Sequence, residues 1–286
     1  MGNRDVKLFS QPQLIGVWTI SSDGYSMGQG IIRKDKGYVC TIAINRPEKK
    51  NALNAETLFD LGNMIKQIER EDKIRVLVIR GAGRKAFSSG MDFSCGSEKY
   101  GRRRAIEGLE FCLNSLINYP QPIISMVFGP AIGAGLDISV ISDFRIAADN
   151  AQFGAPLVKL GRTYYYTAIE RLTRLIGISA AKELLLTGRL VDSARAGEIG
   201  LVNQVVSPDI LESVTYSLAN EIAEDTAPIA VRVTKLTIKK LFQESQLNPS
   251  LEEELAHLAD KANRSHDSEE GIKAALEKRK PQFAGV

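Results

Sequence analysis

The chain has 286 residues, 44% of them hydrophobic, and 37 lysines and arginines stand against 34 aspartates and glutamates for a formal net charge of +3. That length and hydrophobic share supply a substantial core, and scattered, nearly balanced charge points away from a dedicated nucleic-acid surface. No apolar run reaches membrane-spanning length, no charged start followed by an apolar stretch marks a secretion signal, and three cysteines without paired or metal-ligand spacing fit a reducing, cytoplasmic setting.

Residues Met1 to Ser26 are mixed, with a candidate strand at Ile15 to Ile20. A clearer order begins at Gly30. A strand to Arg33, turn residues Lys34 to Gly37 and a strand from Tyr38 to Asn45 read as a hairpin. Asn54 caps a helix running to about Glu71, whose buried stripe is Leu58, Leu61, Ile65 and Ile68. Ile74 to Arg80 is a strand. A helix follows from about Arg104 to Asn118, stopped before Pro120. Ile123 to Phe128 is a strand, and the next helix runs from Gly135 to Ser142. Phe144 to Ala148 and Ala151 to Phe153 are short strands around a turn. Strands alternating with helices indicate an α/β fold.

After about Thr163 the pattern turns helical. Arg171 to Ile176 is one helix, Ser179 caps another through Leu186, and Asp192 starts a third that ends near Gly197. A last strand, Val202 to Val206, precedes Pro208. Amphipathic helices broken at Pro228 and Pro249 then run to the end. Residues 1–206 are thus expected to form the core and 207–286 a C-terminal helical region.

Two segments carry the chemistry. Gly129-Pro130-Ala131-Ile132-Gly133-Ala134-Gly135-Leu136-Asp137 joins a strand to a helix through a turn almost without side chains. A ligand can approach such a backbone closely. The helix start offers free N–H groups and the positive end of a dipole, which suits an oxygen that becomes negative during a reaction. Asp137 lies one turn into that helix. A second small-residue turn, Lys85-Ala86-Phe87-Ser88-Ser89-Gly90-Met91-Asp92-Phe93, follows the strand from Ile74. Two such turns can give two backbone donors to one oxygen; the plainer alternative is two tight strand–helix connections. His257 and His266 lie in a polar region, which argues against serine–histidine or cysteine–histidine catalysis and against a histidine metal site.

At these residues the chain resembles the enoyl-CoA hydratase/isomerase family, or crotonase superfamily, from about Ile42 to Phe283. Asn45 to Asn54 is similar to the family's CoA-lining motif. Lys85 to Phe93 resembles the motif that supplies the first oxyanion-hole amide, here that of Met91, and Gly129 to Asp137 the motif that supplies the second, here that of Ala134. Ser142 to Asp149, Ala151 to Gly154, Arg171 to Gly177, Gly197 to Asn203, Glu270-Gly271 and Glu277 to Pro281 follow in the family's order. The resemblance implies a spiral of strand–strand–helix repeats with a C-terminal helical oligomerisation region, a homotrimer or dimer of trimers, and an acyl-CoA thioester as substrate. It implies no metal or redox cofactor beyond the CoA that the substrate carries.

The resemblance also implies substrate contacts at Ala52, Leu53, Ser89, Gly90, Asp92, Phe93, Gly133, Leu157 and Arg162. Lys49 and Lys85 are candidates for the CoA phosphates, with Lys50, Lys278 and Lys280 as further ones. Asp92 reads more as a structural cap than as a catalyst. The basic pI of 8.6 is compatible with an anionic ligand.

The chain departs from the hydratases at their acid–base groups. Their first glutamate aligns with Asp137, a carboxylate one methylene shorter. Their second aligns with Leu157, which cannot transfer a proton, so two-carboxylate hydration cannot run unchanged. Beside it, Arg162-Thr163-Tyr164-Tyr165-Tyr166-Thr167-Ala168 replaces a proline- and glycine-rich loop. Tyr164 falls where the family's decarboxylases carry a tyrosine, and a phenol can donate a proton; the alternative is that the tyrosines pack in the core or at a subunit contact. Arg162 is a candidate for binding a substrate carboxylate. Three readings stay open: a lyase-type enzyme using Met91, Ala134, Asp137 and Tyr164; an acyl-CoA decarboxylase or carbon–carbon hydrolase using Tyr164 and Arg162; and an inactive CoA-binding or scaffold protein.

Overall fold

The computed structural model describes residues 18–21, 24–27, 30–92, 99–243 and 249–286. Phe93 and Cys95, and the first part of the candidate strand from Ile15, lie outside them. Eleven strands, among the described residues, form two sheets. In chain order they are β1 (Trp18–Ser21), β2 (Gly24–Met27), β3 (Ile31–Lys36), β4 (Val39–Ile44), β5 (Val76–Gly81), β6 (Ile123–Val127), β7 (Pro130–Ile132), β8 (Phe144–Ala148), β9 (Gln152–Gly154), β10 (Val191–Asp192) and β11 (Gln204–Val206). The large sheet runs β1-β2-β3-β4-β5-β6-β8-β11, antiparallel up to β4 and parallel from β4 onward. The small sheet runs β10-β9-β7.

The helices are α1 (Ala55–Glu69), α2 (Lys99–Asn118), α3 (Ala134–Ile141), α4 (Tyr166–Thr187), α5 (Ser193–Glu198), α6 (Leu211–Asp225), α7 (Pro228–Gln243), α8 (Pro249–Asn263) and α9 (His266–Glu277). The large sheet is buried on both faces, and its strands show why. In β5, Leu77 and Ile79 join the core under α1 and α2, together with Leu58, Leu61, Ile65 and Cys112. Val76 and Val78 point the other way and pack with Leu211, Ala219 and Ala223 of α6. A period-two strand buried on both faces carries no polar side, so it reads as a continuous apolar run. α6 is therefore a layer on the sheet, although it lies beyond the boundary expected at 206/207.

Several local expectations need adjustment. The hairpin turn is tighter than expected: β3 continues through Lys36 and pairs with Val39, because Gly37 alone takes the positive φ of 60° that the reversal needs. The two helices expected around 171–186 are present as the two halves of α4, parted by the non-helical Gly177 (φ 77°, ψ 164°), but the first starts earlier, at Tyr166. Phe144 to Ala148 and the strand after it belong to different sheets. The C-terminal helices show a break beyond the two prolines, at Ser265, whose side chain accepts from Ser268 N to start α9. Asn54 does cap α1, accepting from Thr57 N, and Asp192 caps α5, accepting from Arg195 N.

Candidate active site

The two small-residue turns meet. Ser88 N donates to Pro130 O and Ile132 N donates to Ser88 O, so the first turn pairs with β7. β7 itself was expected to be turn; three residues with a proline at their head carry little strand signal, and it is the pairing with Ser88 and β9 that extends them. The contact tolerates no added atom. A Cβ on Gly129, which has φ of 55°, would lie 2.1 Å from Lys85 O. Gly90 has φ of 90°, and a Cβ there would lie 2.7 Å from Ile132 O and 3.6 Å from Ala134 N. Glycine at both positions avoids the Cβ clash and the left-handed strain.

The first turn is held mainly by main chain. Leu53 N donates to Gly90 O and Asp92 N donates to Leu53 O, at 2.8 and 2.9 Å. In this parallel bridge Met91 lies between the two bonded groups, so its own N–H faces away from Leu53. Asn51 and Ser88 brace the turn from behind. Asn51 Nδ2 donates to Ala86 O at 2.7 Å, and Ser88 Oγ donates to Asn51 O at 2.8 Å. The Asp92 carboxylate pairs with Arg46 at 2.8 Å and with Lys49 at 3.2 Å, so it ties the 46–53 loop to the turn, in line with a structural role. Ala52 and Leu53 are buried, and Ser89 is half-buried, its N–H donating to Lys50 O.

The second turn opens α3. Ala134 N is the first helical N–H, and Asp137 N donates to Gly133 O at 3.0 Å. Among the described residues, neither Met91 N–H nor Ala134 N–H donates to a protein acceptor. At the far end of α3 the buried Arg145 side chain donates to Ser139 O at 3.2 Å and also to Ser142 O, with a further bond to Leu201 O at 2.8 Å. A cation on the last carbonyls complements the negative end of the helix dipole. Burial lowers its pKa to about 10.

Asp137 is only 5% exposed. Its partner is Arg171 of α4: Nη2 donates to Oδ1 and Oδ2 at 2.8 Å each, and Nε donates to Oδ1 at 3.1 Å. Burial pushes the Asp137 pKa above the usual carboxylate range, and the Arg171 guanidinium opposes that rise. Tyr164 donates its hydroxyl not to this carboxylate but to Gly133 O, at 2.6 Å. Arg171 falls in one of the quoted motifs, but nothing in an amphipathic helix marks which arginine will turn inward to a carboxylate 34 residues away.

Of the three tyrosines only Tyr164 turns in; Tyr165 and Tyr166 are 50% and 81% exposed. Burial pushes the Tyr164 phenol well above its ordinary value, the Asp137 charge adds to that, and Arg171 counters it. Leu157 is partly buried against the core and lines, with Ala155, Thr163, Tyr164 and Leu185, a largely apolar cavity of about 280 Å³. Arg162 is exposed, as is Lys85. Lys280 is paired with Asp225 at 2.7 Å. Among the described residues no group of three or more His, Cys, Asp or Glu side chains is placed to hold a metal ion, and no helix is long and apolar enough to cross a membrane.

The family model for enoyl-CoA hydratase/isomerase matches residues 34–286. The chain is 36% identical over 219 residues to a short-chain-enoyl-CoA hydratase of Clostridium acetobutylicum, covering 74% of this chain and 82% of that one. It is 33% identical over 262 residues to a crotonyl-CoA hydratase of Syntrophomonas wolfei, covering 89% and 98%. Among solved structures, an enoyl-CoA hydratase from Bacillus anthracis superposes with a TM-score of 0.83 at 33% identity, covering 90% of this chain and all of that one.

Proposed function

The chain belongs to the enoyl-CoA hydratase/isomerase family of acyl-CoA-processing enzymes, and from that premise we propose that it holds an acyl-CoA thioester oxygen between Met91 N–H and Ala134 N–H and stabilises the enolate formed there. The observation that carries this reading is the meeting of the two turns, where neither N–H group has an acceptor among the described residues. A preorganised donor of this kind is worth about 3–4 kcal/mol of transition-state stabilisation. Asp137 shares the first turn of α3 with Ala134 and is the carboxylate we assign to proton transfer, with Arg171 restraining the rise in its proton affinity. As proposed, the step needs no metal or redox group, the CoA arriving with the substrate.

Leu157 sets the reaction apart from two-carboxylate hydration. Hydration of crotonyl-CoA is expected to be slow or absent, well below the roughly 10 per second typical of enzymes. Leu157→Glu should raise it by on the order of a hundredfold, the usual contribution of a positioned proton-transfer group. Rapid hydration by the unaltered enzyme would refute the reading and show that one carboxylate suffices.

A decarboxylase or carbon–carbon hydrolase would call on Tyr164 and Arg162. The first has its hydroxyl bonded to Gly133 O and the second is exposed, which weighs against that reading. A trimer or dimer of trimers remains our proposal for the assembly. Its support is the cluster of exposed apolar side chains along 158–186, among them Leu160, Tyr166, Ile178 and Leu186.

A further inference from the structure

The hydroxyl of Tyr164 donates to Gly133 O, at 2.6 Å, rather than to the neighbouring Asp137 carboxylate. That carbonyl and the Ala134 N–H belong to one planar peptide unit and point in opposite directions. Whatever binds the oxygen of this unit therefore acts on its N–H as well. A donor at the oxygen draws electron density from the nitrogen and makes the N–H more positive, the cooperative effect seen along chains of hydrogen bonds. It also fixes the plane of the peptide, which follows Gly133, a residue with a free choice of φ and here at 55°. The same oxygen accepts from Asp137 N at 3.0 Å, so the peptide is held by two donors on its far side.

We propose that Tyr164 is a positioning residue that sharpens the anion hole through the Gly133–Ala134 peptide, rather than a proton donor to substrate. The proposal rests on the assignment of Ala134 N–H to that hole. The surroundings of the phenol agree with it. Tyr164 is packed against the core beside the Asp137–Arg171 pair, and burial holds its hydroxyl in the protonated, donating form. Its neighbours Tyr165 and Tyr166 are turned to the surface and have no route to the peptide.

The test uses the full-length enzyme and a CoA thioester of 4-dimethylaminocinnamic acid, whose absorption moves to longer wavelength when its carbonyl is polarised. Wild-type enzyme should shift the bound probe. Tyr164→Phe should bind CoA itself with unchanged affinity but lose a large part of the shift, whereas Tyr165→Phe should keep all of it. Incorporation of 3-fluorotyrosine at position 164, a stronger donor of the same shape, should increase the shift and serves if the phenylalanine variant does not fold. A full wild-type shift in Tyr164→Phe, or no increase with fluorotyrosine, overturns the proposal. A wild-type enzyme that binds the probe with no shift overturns the anion hole itself, a failure distinct from loss of the tyrosine's role.

Discussion

The two turns that meet at the candidate site are built in different ways. The 86–92 turn is stitched by main-chain bonds to Leu53 and Pro130, with Asn51 and Arg46 bracing it from the neighbouring loop. The 129–137 turn has a main-chain side toward β9, but its helix is fixed by side chains: Tyr164 and Arg171 from a remote part of the chain, and Arg145 from just beyond its end. The first kind of support is spread over many weak, redundant bonds. The second is concentrated in a few charged or buried groups. A single side-chain change should therefore be absorbed by the first turn and felt by the second.

The largest effect is expected where the turns touch. Gly129→Ala places a Cβ 2.1 Å from Lys85 O at a φ of 55°, so backbone must move on both sides. Destabilisation of about 5 kcal/mol is expected, in the exceptional range for one substitution. Denaturant titration measures it, and a variant of near wild-type stability would mean that the turns are not pressed together as described.

Next comes Arg171→Leu, which leaves Asp137 buried without its counter-ion. The cost should be about 3 kcal/mol at neutral pH. Its pH dependence follows from the raised Asp137 pKa. A carboxyl raised above its unfolded value contributes stability that is full below that value and lost as pH rises through the folded one. Loss of Arg171 raises the folded value further, so the deficit relative to wild type should shrink as the pH is lowered through it. A deficit that stays constant from neutral to mildly acid pH would show that the carboxylate is not the group left stranded.

The smallest effect belongs to the first turn. Asp92→Asn removes the charge that pairs with Arg46 and Lys49, yet the ladder through Leu53 remains. A loss of about 1 kcal/mol is expected, the scale of one hydrogen bond. A loss equal to that of Arg171→Leu would erase the distinction between the turns.

The same distinction separates what the sequence made legible from what it did not. Small residues after buried strands, the Asn54 cap and the apolar stripe of α1 are local patterns, and local patterns survive in a linear reading. The family motifs also pointed to Met91, Ala134 and Asp137. What escaped is long-range and side-chain-borne: Arg171 on Asp137 and Tyr164 on Gly133 O are each joined to partners by folding alone. β7 escaped for a related reason, since three residues become a strand only when β9 and Ser88 come alongside.

The central claim is that Met91 N–H and Ala134 N–H share one ligand oxygen. A crystal structure of the full-length enzyme with a ketone analogue of an acyl-CoA, in which a methylene takes the place of the thioester sulfur and the carbonyl is kept, measures this directly. The account predicts the carbonyl oxygen within hydrogen-bonding distance of both nitrogens, about 2.7–3.2 Å from each. A bound acyl group whose oxygen meets only one of them, or neither, would contradict it.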